Sequence, residues 1–554
     1  MYFSKKILSQ TITQLCLAKE IDHIVISPGS RNAPLTIGFT HHPSFKNFSI
    51  VDERCAAFFA LGLAQQLKRP VALVCTSGSA VLNYYPAIAE AFYSDIPLVV
   101  ISADRPSKYI DVGDGQTIRQ ENVFKNHILY SANCKEGKEY QLFNEIQINS
   151  ALNAAIELRG PVHINVPFEE PLYEIVEDVE VRPQHVPARI LSANFSEDLS
   201  EYIKAWNASG KKIVLVGVLP PNSIEERYIK WLAEDESVLV LTETTSNLSH
   251  SSFFPSIDQL IAPLNPDQFE SLRPDILLTF GGMVVSKKVK AFLRDYAPSQ
   301  HWHIDSKKAF DTYFALNKHF KTSPNIFIKH FSPKTTSVSS SYKQEWSDLK
   351  KYRLERHHEY EKLCSYSDFK VFSEIFKWLP EHRQLHLSNS AAIRYAQLFT
   401  LPASLEVFCN RGTSGIDGSM STAIGAAIIS KLPTVYITGD LSFFYDSNAM
   451  WNKYIPSNFK IIVINNGGGG IFRILPGAKS VDHFETYFET EHELSAESLC
   501  TMFGINYSKA TSINELNQEL EMFFNTSNSA QLLEIVTPSK LNDQVLNEYF
   551  MFIA

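Results

Sequence analysis

Short apolar runs alternate with longer amphipathic stretches along most of the chain. The opening segment, MYFSKKILSQTITQLCLAKE, repeats its apolar positions at helical spacing. HIVISPG then reads as a buried strand ending in a turn, and FSIVDE as a second strand. RCAAFFALGLAQQL reads as an apolar helix, PVALVCTSGS as a strand entering a Gly/Ser loop, and AVLNYYPAIAEAFY as the next helix. IPLVVISADRP and GPVHINVP supply further strands. Strands apolar on both faces and separated by helices predict a parallel sheet covered on both sides.

The composition turns polar after PFEEPLYE, which places a linker near 175–195. A second alternation follows, with KKIVLVGV, SVLVLTE, DILLTFGG and HWHID as strands. The Ser/Thr-rich segment SPKTTSVSSSYKQ, at 332–344, reads as a second linker. A third alternation runs through QLHLSNS, LEVFCN, PTVYITGD, FKIIVINN and AQLLEIVTP. The expected fold class is therefore α/β, with three consecutive α/β domains over 1–180, 190–335 and 345–554, each on a parallel sheet. No short-period repeat is evident.

Net charge is −9, which excludes a global attraction for nucleic acid or an anionic membrane. Any anion site must then be built from locally clustered cations. No apolar run is long enough to span a bilayer; the longest, around 96–101, has strand length. The N-terminus lacks the apolar core and cleavage site of a signal peptide. Seven dispersed cysteines without a Cys-x-x-Cys pair predict reduced thiols and a cytoplasmic location. The expectation is small-molecule partners, with no nucleic acid and no membrane.

The strongest chemical signal lies in the third region. Strand TVYIT ends in Gly439-Asp440, and strand KIIVI ends in Asn465-Asn466 followed by four glycines. On neighbouring parallel strands, Asp440 and Asn466 meet at one sheet edge. A carboxylate, an amide oxygen and a backbone carbonyl are hard ligands suited to Mg²⁺, which keeps few protein ligands beside phosphate oxygens. Glycines let backbone approach a ligand closely, and helix N-termini favour a diphosphate. Alone, Gly-Asp is an ordinary helix start and Asn-Gly-Gly an ordinary turn; together, each on a strand end, they point to a site. No histidine sits in a catalytic or metal-binding spacing, and His41-His42 and His357-His358 read as exposed.

This pairing resembles the thiamine diphosphate fingerprint, with Leu441 where a glycine is usual. That resemblance implies a glutamate from another domain at the aminopyrimidine ring. Glu53, in VDERCAAF at a strand end opening an apolar helix, is the candidate. Held in apolar surroundings, it would hydrogen-bond the ring nitrogen and favour the imino tautomer, with the cofactor as electron sink. Without the metal motif, Glu53 would read as an acid in a helix first turn.

Further segments narrow the resemblance. SPGSRNAPL at 27–35, TSGSA at 76–80, SADRP at 102–106, QTIRQ at 116–120, NRGTSGIDG at 410–418 and GGIF at 469–472 are similar to those of the 2-succinyl-5-enolpyruvyl-6-hydroxy-3-cyclohexene-1-carboxylate synthases of menaquinone biosynthesis. The likeness runs from about residue 20 to the last strand and is weakest in the middle region. It implies the thiamine-diphosphate-binding fold, in which the three regions are pyrimidine-binding, central and diphosphate-binding domains. It also implies a homodimer or homotetramer, because the glutamate and the diphosphate site come from different subunits. Its cofactors would be thiamine diphosphate and Mg²⁺, with Mn²⁺ as a substitute. Its substrates would be 2-oxoglutarate, which is decarboxylated, and isochorismate, to which the resulting carbanion adds.

Carried over by position, Glu53 would activate the cofactor. Asp440, Asn466 and the Gly468 carbonyl would hold the metal. Gly78, Ser390, Ile416, Leu441 and Ser442 would lie against the cofactor. Ser30, Arg31, Arg105 and Gln116 would meet substrate carboxylates and hydroxyls, as would Lys287, Lys288, Ser390, Arg394 and Arg411. Ile471 and Phe472 would form an apolar wall. Two positions depart from the pattern: Gly115 replaces an Asn before Gln116, and Lys287-Lys288 replaces Lys-Arg. Lysine keeps the charge but loses bidentate geometry. Independently of the likeness, two dicarboxylates need several cations, and Arg31, Arg105, Arg394 and Arg411 all lie in strand-end loops. Other thiamine-diphosphate decarboxylases or carboligases, such as acetohydroxyacid synthases, share the metal motif but not the SPGSR and NRGTSGIDG segments. A non-catalytic protein of this fold would not need to keep Glu53, Asp440 and Asn466.

Overall fold

The apolar runs become the inner strands of three parallel sheets in a computed structural model, which describes residues 2–189, 195–474, 477–525 and 529–554. Strands are numbered in chain order. After the short β1 (Phe3–Ser4), the first sheet contains β2 (His23–Ile26), β3 (Lys46–Ser49), β4 (Val71–Cys75), β5 (Leu98–Asp104), β6 (Ser131–Asn133) and β7 (Val162–Pro167). Its order is β3-β2-β4-β5-β7-β6, and every pairing is parallel. β8 (Ile175–Val176) returns to pair antiparallel with β1.

The central sheet holds β9 (Lys212–Val216), β10 (Val238–Leu241), β11 (Ile276–Phe280), β12 (Gln300–Ile304) and β13 (Leu316–Phe320), in the order β10-β9-β11-β12-β13. The third holds β14 (Gln384–Leu387), β15 (Glu406–Phe408), β16 (Thr434–Gly439), β17 (Lys460–Asn465), β18 (Asn506–Ala510) and β19 (Gln531–Val536). Its order, β15-β14-β16-β17-β19-β18, repeats that of the first sheet. The chain is an α/β protein of three parallel sheets.

Edge strands depart most from expectation. β6, β13 and β18 read SAN, LNKHF and NYSKA and carry no apolar run, since an edge strand needs only one neighbour and is protected by polar side chains. FSIVDE forms a strand only up to Ser49, because β3 takes its register from His23–Ile26 and a helix begins at Glu53. The segment expected as a linker near 175–195 begins as β8. Its continuation lies along the first domain, where Gln14 donates to the Val181 carbonyl at 2.8 Å and Asn149 to that of Gln184 at 2.9 Å. Residues 190–194 lie outside the described residues. The 332–344 segment ends inside helix Tyr342–Leu363, whose buried Tyr342 donates to the Leu272 carbonyl at 2.5 Å.

His357 is buried rather than exposed, while His358 and His41 are exposed. The amide of Gln259 donates to its Nδ1 at 3.1 Å, and burial pushes its pKa down to about 4. His357, His358 and Glu361 converge, their ligand atoms within 4.8 Å of one another, a spacing not anticipated from sequence. With Nδ1 accepting, the proton of the neutral ring sits on Nε2 toward Glu361. Glu361 pairs with His358 Nδ1 at 2.8 Å, while His357 Nε2 stands 3.8 Å from it.

One core joins the first and third sheets, uniting Phe58, Phe59 and Tyr84 with Met420, Ile424, Phe443 and Ile461. At its centre, helix Glu53–Leu67 crosses helix Ser419–Ile429 at backbone contact. A Cβ on Gly62 would stand 2.1 Å from the Thr422 carbonyl oxygen, and one on Gly425 would stand 2.1 Å from that of Phe59. Gly425→Val is therefore expected to force the helices apart and destabilise the fold by about 1–3 kcal/mol or more, read as a lower urea midpoint. An unchanged midpoint would show that this crossing yields freely.

Candidate active site

In a parallel sheet, ligands bind beyond the carboxyl ends of the strands where the strand order reverses. In the first sheet this switch lies between β2 and β4, whose following loops carry Ser30, Arg31 and Gly78. In the third sheet it lies between β14 and β16, whose loops carry Ser390 and Asp440. Asn466 follows the adjacent β17, and Arg411 and Ile416 follow β15. These residues thus lie at or beside the two switch points.

Asp440 opens helix Asp440–Tyr445 and is 3% exposed. Its Oδ1 accepts the Leu441 N–H at 2.6 Å and its Oδ2 that of Gly468 at 2.9 Å. Asn466 is buried beside it and donates its amide to Asp368 Oδ2 at 2.9 Å. That bond aims the amide, and the buried Asn466 Oδ1 is left without a partner among the described residues. An oriented acceptor with no donor, next to a buried carboxylate, is a donor set for a hard cation. The Gly468 carbonyl instead accepts from Gly470 N at 3.0 Å. Gly468 adopts φ +151°, and a Cβ there would stand 2.7 Å from the Glu489 carbonyl, so only glycine fits the turn. His492 Nε2 stands 3.4 Å from Asp440 Oδ2, and this carboxylate raises the imidazole pKa against the effect of burial.

Asp368 was not legible as a site residue. It is fully buried, and burial lifts its pKa to about 6 against the bonds from Thr537 and Asn466.

Ser390 precedes helix Ala391–Ala396 at φ +70°, ψ −123°, a conformation that costs a non-glycine residue roughly 1–3 kcal/mol. Such strain is held where the loop must present a group in one direction. Its neighbour Asn389 organises the next loop, donating to the carbonyls of Asn410 at 2.7 Å and Gly415 at 2.8 Å. Asn389 Oδ1 also accepts from Arg411 Nη1 at 2.6 Å, while the buried Arg411 Nε has no partner. Ser442 Oγ donates to the Ile416 carbonyl at 3.0 Å, tying that residue over the start of the Asp440 helix. From the first domain, buried Glu90 accepts the Gly412 and Thr413 N–H groups at 2.7 and 2.6 Å. Burial and the nearby Arg411 lower the pKa of Arg394, so the two guanidiniums share one environment.

At the first sheet, Arg31 is 4% exposed and donates to the Phe168 carbonyl at 2.8 Å and Glu170 at 3.2 Å. Burial, then Arg105, lowers its pKa, which places Arg105 alongside. Gln116 clasps Ser77: its amide donates to the Ser77 carbonyl at 3.2 Å and its own carbonyl accepts from Ser77 Oγ at 3.0 Å. Gly78, at φ +84°, donates its N–H to Gln120 at 2.9 Å. Ser30 is exposed in the same loop system.

Glu53 begins helix Glu53–Leu67, capped by Asp52, which accepts the Cys55 N–H at 3.1 Å. Burial raises its carboxyl pKa above the ordinary value. Among the described residues, no hydrogen bond or ion pair joins Glu53 to Asp440 or Asn466 within one chain.

Lys287 and Lys288 open helix Lys287–Asp295 and are exposed. Lys288 Nζ lies 5.1 Å from the Phe550 ring; burial raises the Asp258 pKa, and the charges of Lys288 and Arg394 act against that rise. Ile471 and Phe472 sit half-buried on the 3₁₀ turn Gly470–Ile474, with Phe472 packed 6.3 Å from Phe488.

Three family models match in succession. The "thiamine pyrophosphate enzyme, N-terminal TPP binding domain" covers residues 7–128, the "middle domain of thiamine pyrophosphate" 193–387, and the "C-terminal TPP binding domain" 390–535. A benzoylformate decarboxylase from Polynucleobacter necessarius shares the fold at TM-score 0.71 over 96% of this chain and 99% of that one, at 13% identity. Sheet order, switch-point loops and these matches define a thiamine pyrophosphate enzyme. Full-length relatives narrow the class. The chain is 56% identical to a 2-succinyl-5-enolpyruvyl-6-hydroxy-3-cyclohexene-1-carboxylate synthase of Christiangramia forsetii, covering 100% of both. It is 54% identical to that of Flavobacterium johnsoniae over 99% of each, and 38% identical to that of Porphyromonas gingivalis over 100% of this chain and 98% of the relative. The chain belongs to the 2-succinyl-5-enolpyruvyl-6-hydroxy-3-cyclohexene-1-carboxylate synthase family.

Proposed function

We propose that this enzyme decarboxylates 2-oxoglutarate and joins the remaining four-carbon unit to isochorismate, giving 2-succinyl-5-enolpyruvyl-6-hydroxy-3-cyclohexene-1-carboxylate and CO₂ in menaquinone biosynthesis. The observation that carries the choice of substrates is the pairing of buried or half-buried arginines, Arg31 with Arg105 and Arg394 with Arg411. Two such pairs match two dicarboxylates, and guanidinium forks bind carboxylates bidentately. Bound thiamine diphosphate supplies the carbon nucleophile and the electron sink.

The chain's own residues do the rest. Asp440 and the unpartnered Asn466 oxygen would hold Mg²⁺, or Mn²⁺ in its place, with the Gly468 carbonyl as the third protein ligand. Gly78, Ser390, Ile416, Leu441 and Ser442 line the cofactor. Glu53 shares a proton with the aminopyrimidine ring, a task suited to a carboxyl held above its ordinary pKa. Ser30 and Gln116 meet substrate hydroxyls, Lys287 and Lys288 add positive charge, and Ile471 with Phe472 excludes water.

The active assembly is a homodimer or homotetramer in which Glu53 serves the cofactor of a second copy. Val51, Leu82, Tyr445 and Trp451 are large apolar residues exposed near this helix start and match burial by that copy. The domains are 1–180 for the pyrimidine, 190–335 central and 345–554 for the diphosphate. The setting is cytoplasmic: the cysteines are free thiols, and no described helix is long and apolar enough to cross a membrane.

Mass spectrometry of the products made with Mg²⁺, cofactor and both substrates tests the proposal. The expected result is the coupled product, formed only when isochorismate accompanies 2-oxoglutarate. Decarboxylation of 2-oxoglutarate without coupling would favour a plain 2-oxoacid decarboxylase.

A further inference from the structure

Helix Glu53–Leu67 starts against the segment that directly follows helix Asp440–Tyr445. The residues flanking Glu53 are all gripped there. Asp52 Oδ2 accepts from Asn448 Nδ2 at 2.8 Å. Arg54 donates to the Tyr445 carbonyl at 2.8 Å and lies 4.8 Å over the Tyr445 ring. Cys55 Sγ stands 3.5 Å from Asp446 Oδ1. Asp446 is the centre of the grip. It is fully buried and also takes the Ser421 N–H at 2.8 Å and the Ser421 hydroxyl at 2.9 Å, with the Arg54 guanidinium 3.9 Å away. Glu53 itself makes no side-chain bond to this strip among the described residues, and its charge reaches Cys75 and Tyr84 of the first domain.

We infer that Asp446 is a positioning residue for Glu53: with Asn448 and the Tyr445 carbonyl, it locks the first turn of the Glu53 helix to the strip of chain that begins at Asp440. The inference rests on Glu53 being the acid that meets the cofactor.

A helix's first turn has no intrahelical partners for its N–H groups and is the part most free to move. The next rigid hold on this helix is the backbone contact of Phe59 with Gly425, six residues on, or roughly 9 Å at 1.5 Å per residue. A tilt of about 6° about that contact would shift Glu53 by ~1 Å, and a displacement of that size can cost about 10²-fold in rate. Stability alone does not account for the acid. Burial pushes the Asp446 carboxyl up to about 7, so the ionised group weakens the fold at neutral pH. Cys55 and Asp52 are held from the same strip, so the grip fixes both the height and the rotation of the turn.

The test is the rate of hydrogen–deuterium exchange at C2 of bound thiamine diphosphate, measured with saturating Mg²⁺ in wild type, Glu53→Gln, Asp446→Asn and Asn448→Ala. Cofactor affinity by calorimetry and thermal midpoint are taken alongside. Asp446→Asn should slow exchange by about tenfold or more, as expected for an acid misplaced by a fraction of an ångström. Its cofactor Kd should stay within about threefold and its midpoint should not fall, because the amide keeps an acceptor for Ser421 and sheds the buried charge. Asn448→Ala should slow exchange less, in the same direction. Exchange within twofold of wild type in Asp446→Asn, with Glu53→Gln slow, overturns the inference and leaves the role of Glu53 standing. Wild-type exchange in Glu53→Gln removes the reading of Glu53 and the inference with it. Should Asp446→Asn not fold, Asn448→Ala decides, because its exposed amide touches only Asp52; wild-type exchange there also overturns the inference.

Discussion

Glu53→Gln is expected to lower kcat by about 10²–10⁴-fold, the range spanned by a single positioned proton-transfer group. The amide has the shape of the acid but cannot share a proton with a ring nitrogen. Affinity for thiamine diphosphate should change little, since the glutamine amide can still donate to the ring nitrogen and the diphosphate end is held through Asp440 and Asn466. The thermal midpoint should hold or rise. Burial raises the Glu53 pKa with no side-chain partner to offset it, so the ionised carboxyl weakens the fold and the neutral amide relieves this. An inactive variant that is equally stable and still binds cofactor separates loss of chemistry from loss of structure. A variant retaining a third of the wild-type rate would remove Glu53 from the reaction.

The sequence made the middle of each sheet legible and the margins obscure. KIVLV, ILLTF and KIIVI are buried on both faces, so their apolar character declares them whatever else the chain does. LNKHF at β13 and NYSKA at β18 have one neighbour each, and their polarity is what an exposed edge requires. The segment read as a linker near 332–344 is irregular over 335–341, but its end enters a helix that Tyr342 and Trp346 anchor on the central domain, an effect of tertiary burial.

Site residues divided similarly. Glycines and arginines in strand-end loops stood out because loops rarely combine them without a ligand. Asp368, Glu90 and Asp446 did not, because each lies in a helical or apolar stretch whose pattern is unremarkable. Their importance comes from what packs on them: the Asn466 amide, the 412–413 backbone, and the turn around Glu53. The histidine pair at 357–358 shows the opposite error. A polar helix invites a solvent reading, yet the Tyr549 hydroxyl and the Gln259 amide wait for His357 from distant parts of the chain.

Asn466→Ala is expected to weaken binding of thiamine diphosphate in the presence of Mg²⁺ by at least ~100-fold. Loss of a group that merely orients a metal ligand costs roughly 10–100-fold, and here the ligand itself would go. The argument turns on one atom. Asn466 Oδ1 is buried, fixed in direction by the amide bond to Asp368, and without a hydrogen-bond partner among the described residues. An unpaired buried acceptor costs about 1–3 kcal/mol, a cost that a bound cation would offset. Alanine removes that cost along with the ligand. It also leaves Asp368 Oδ2 without its donor, so the two effects on stability oppose each other and the apo midpoint should move little. The loss should appear instead in the holoenzyme, as a much smaller rise in melting temperature when Mg²⁺ and cofactor are added. Calorimetric titration that finds cofactor affinity within threefold of wild type would show that the metal is held by other groups.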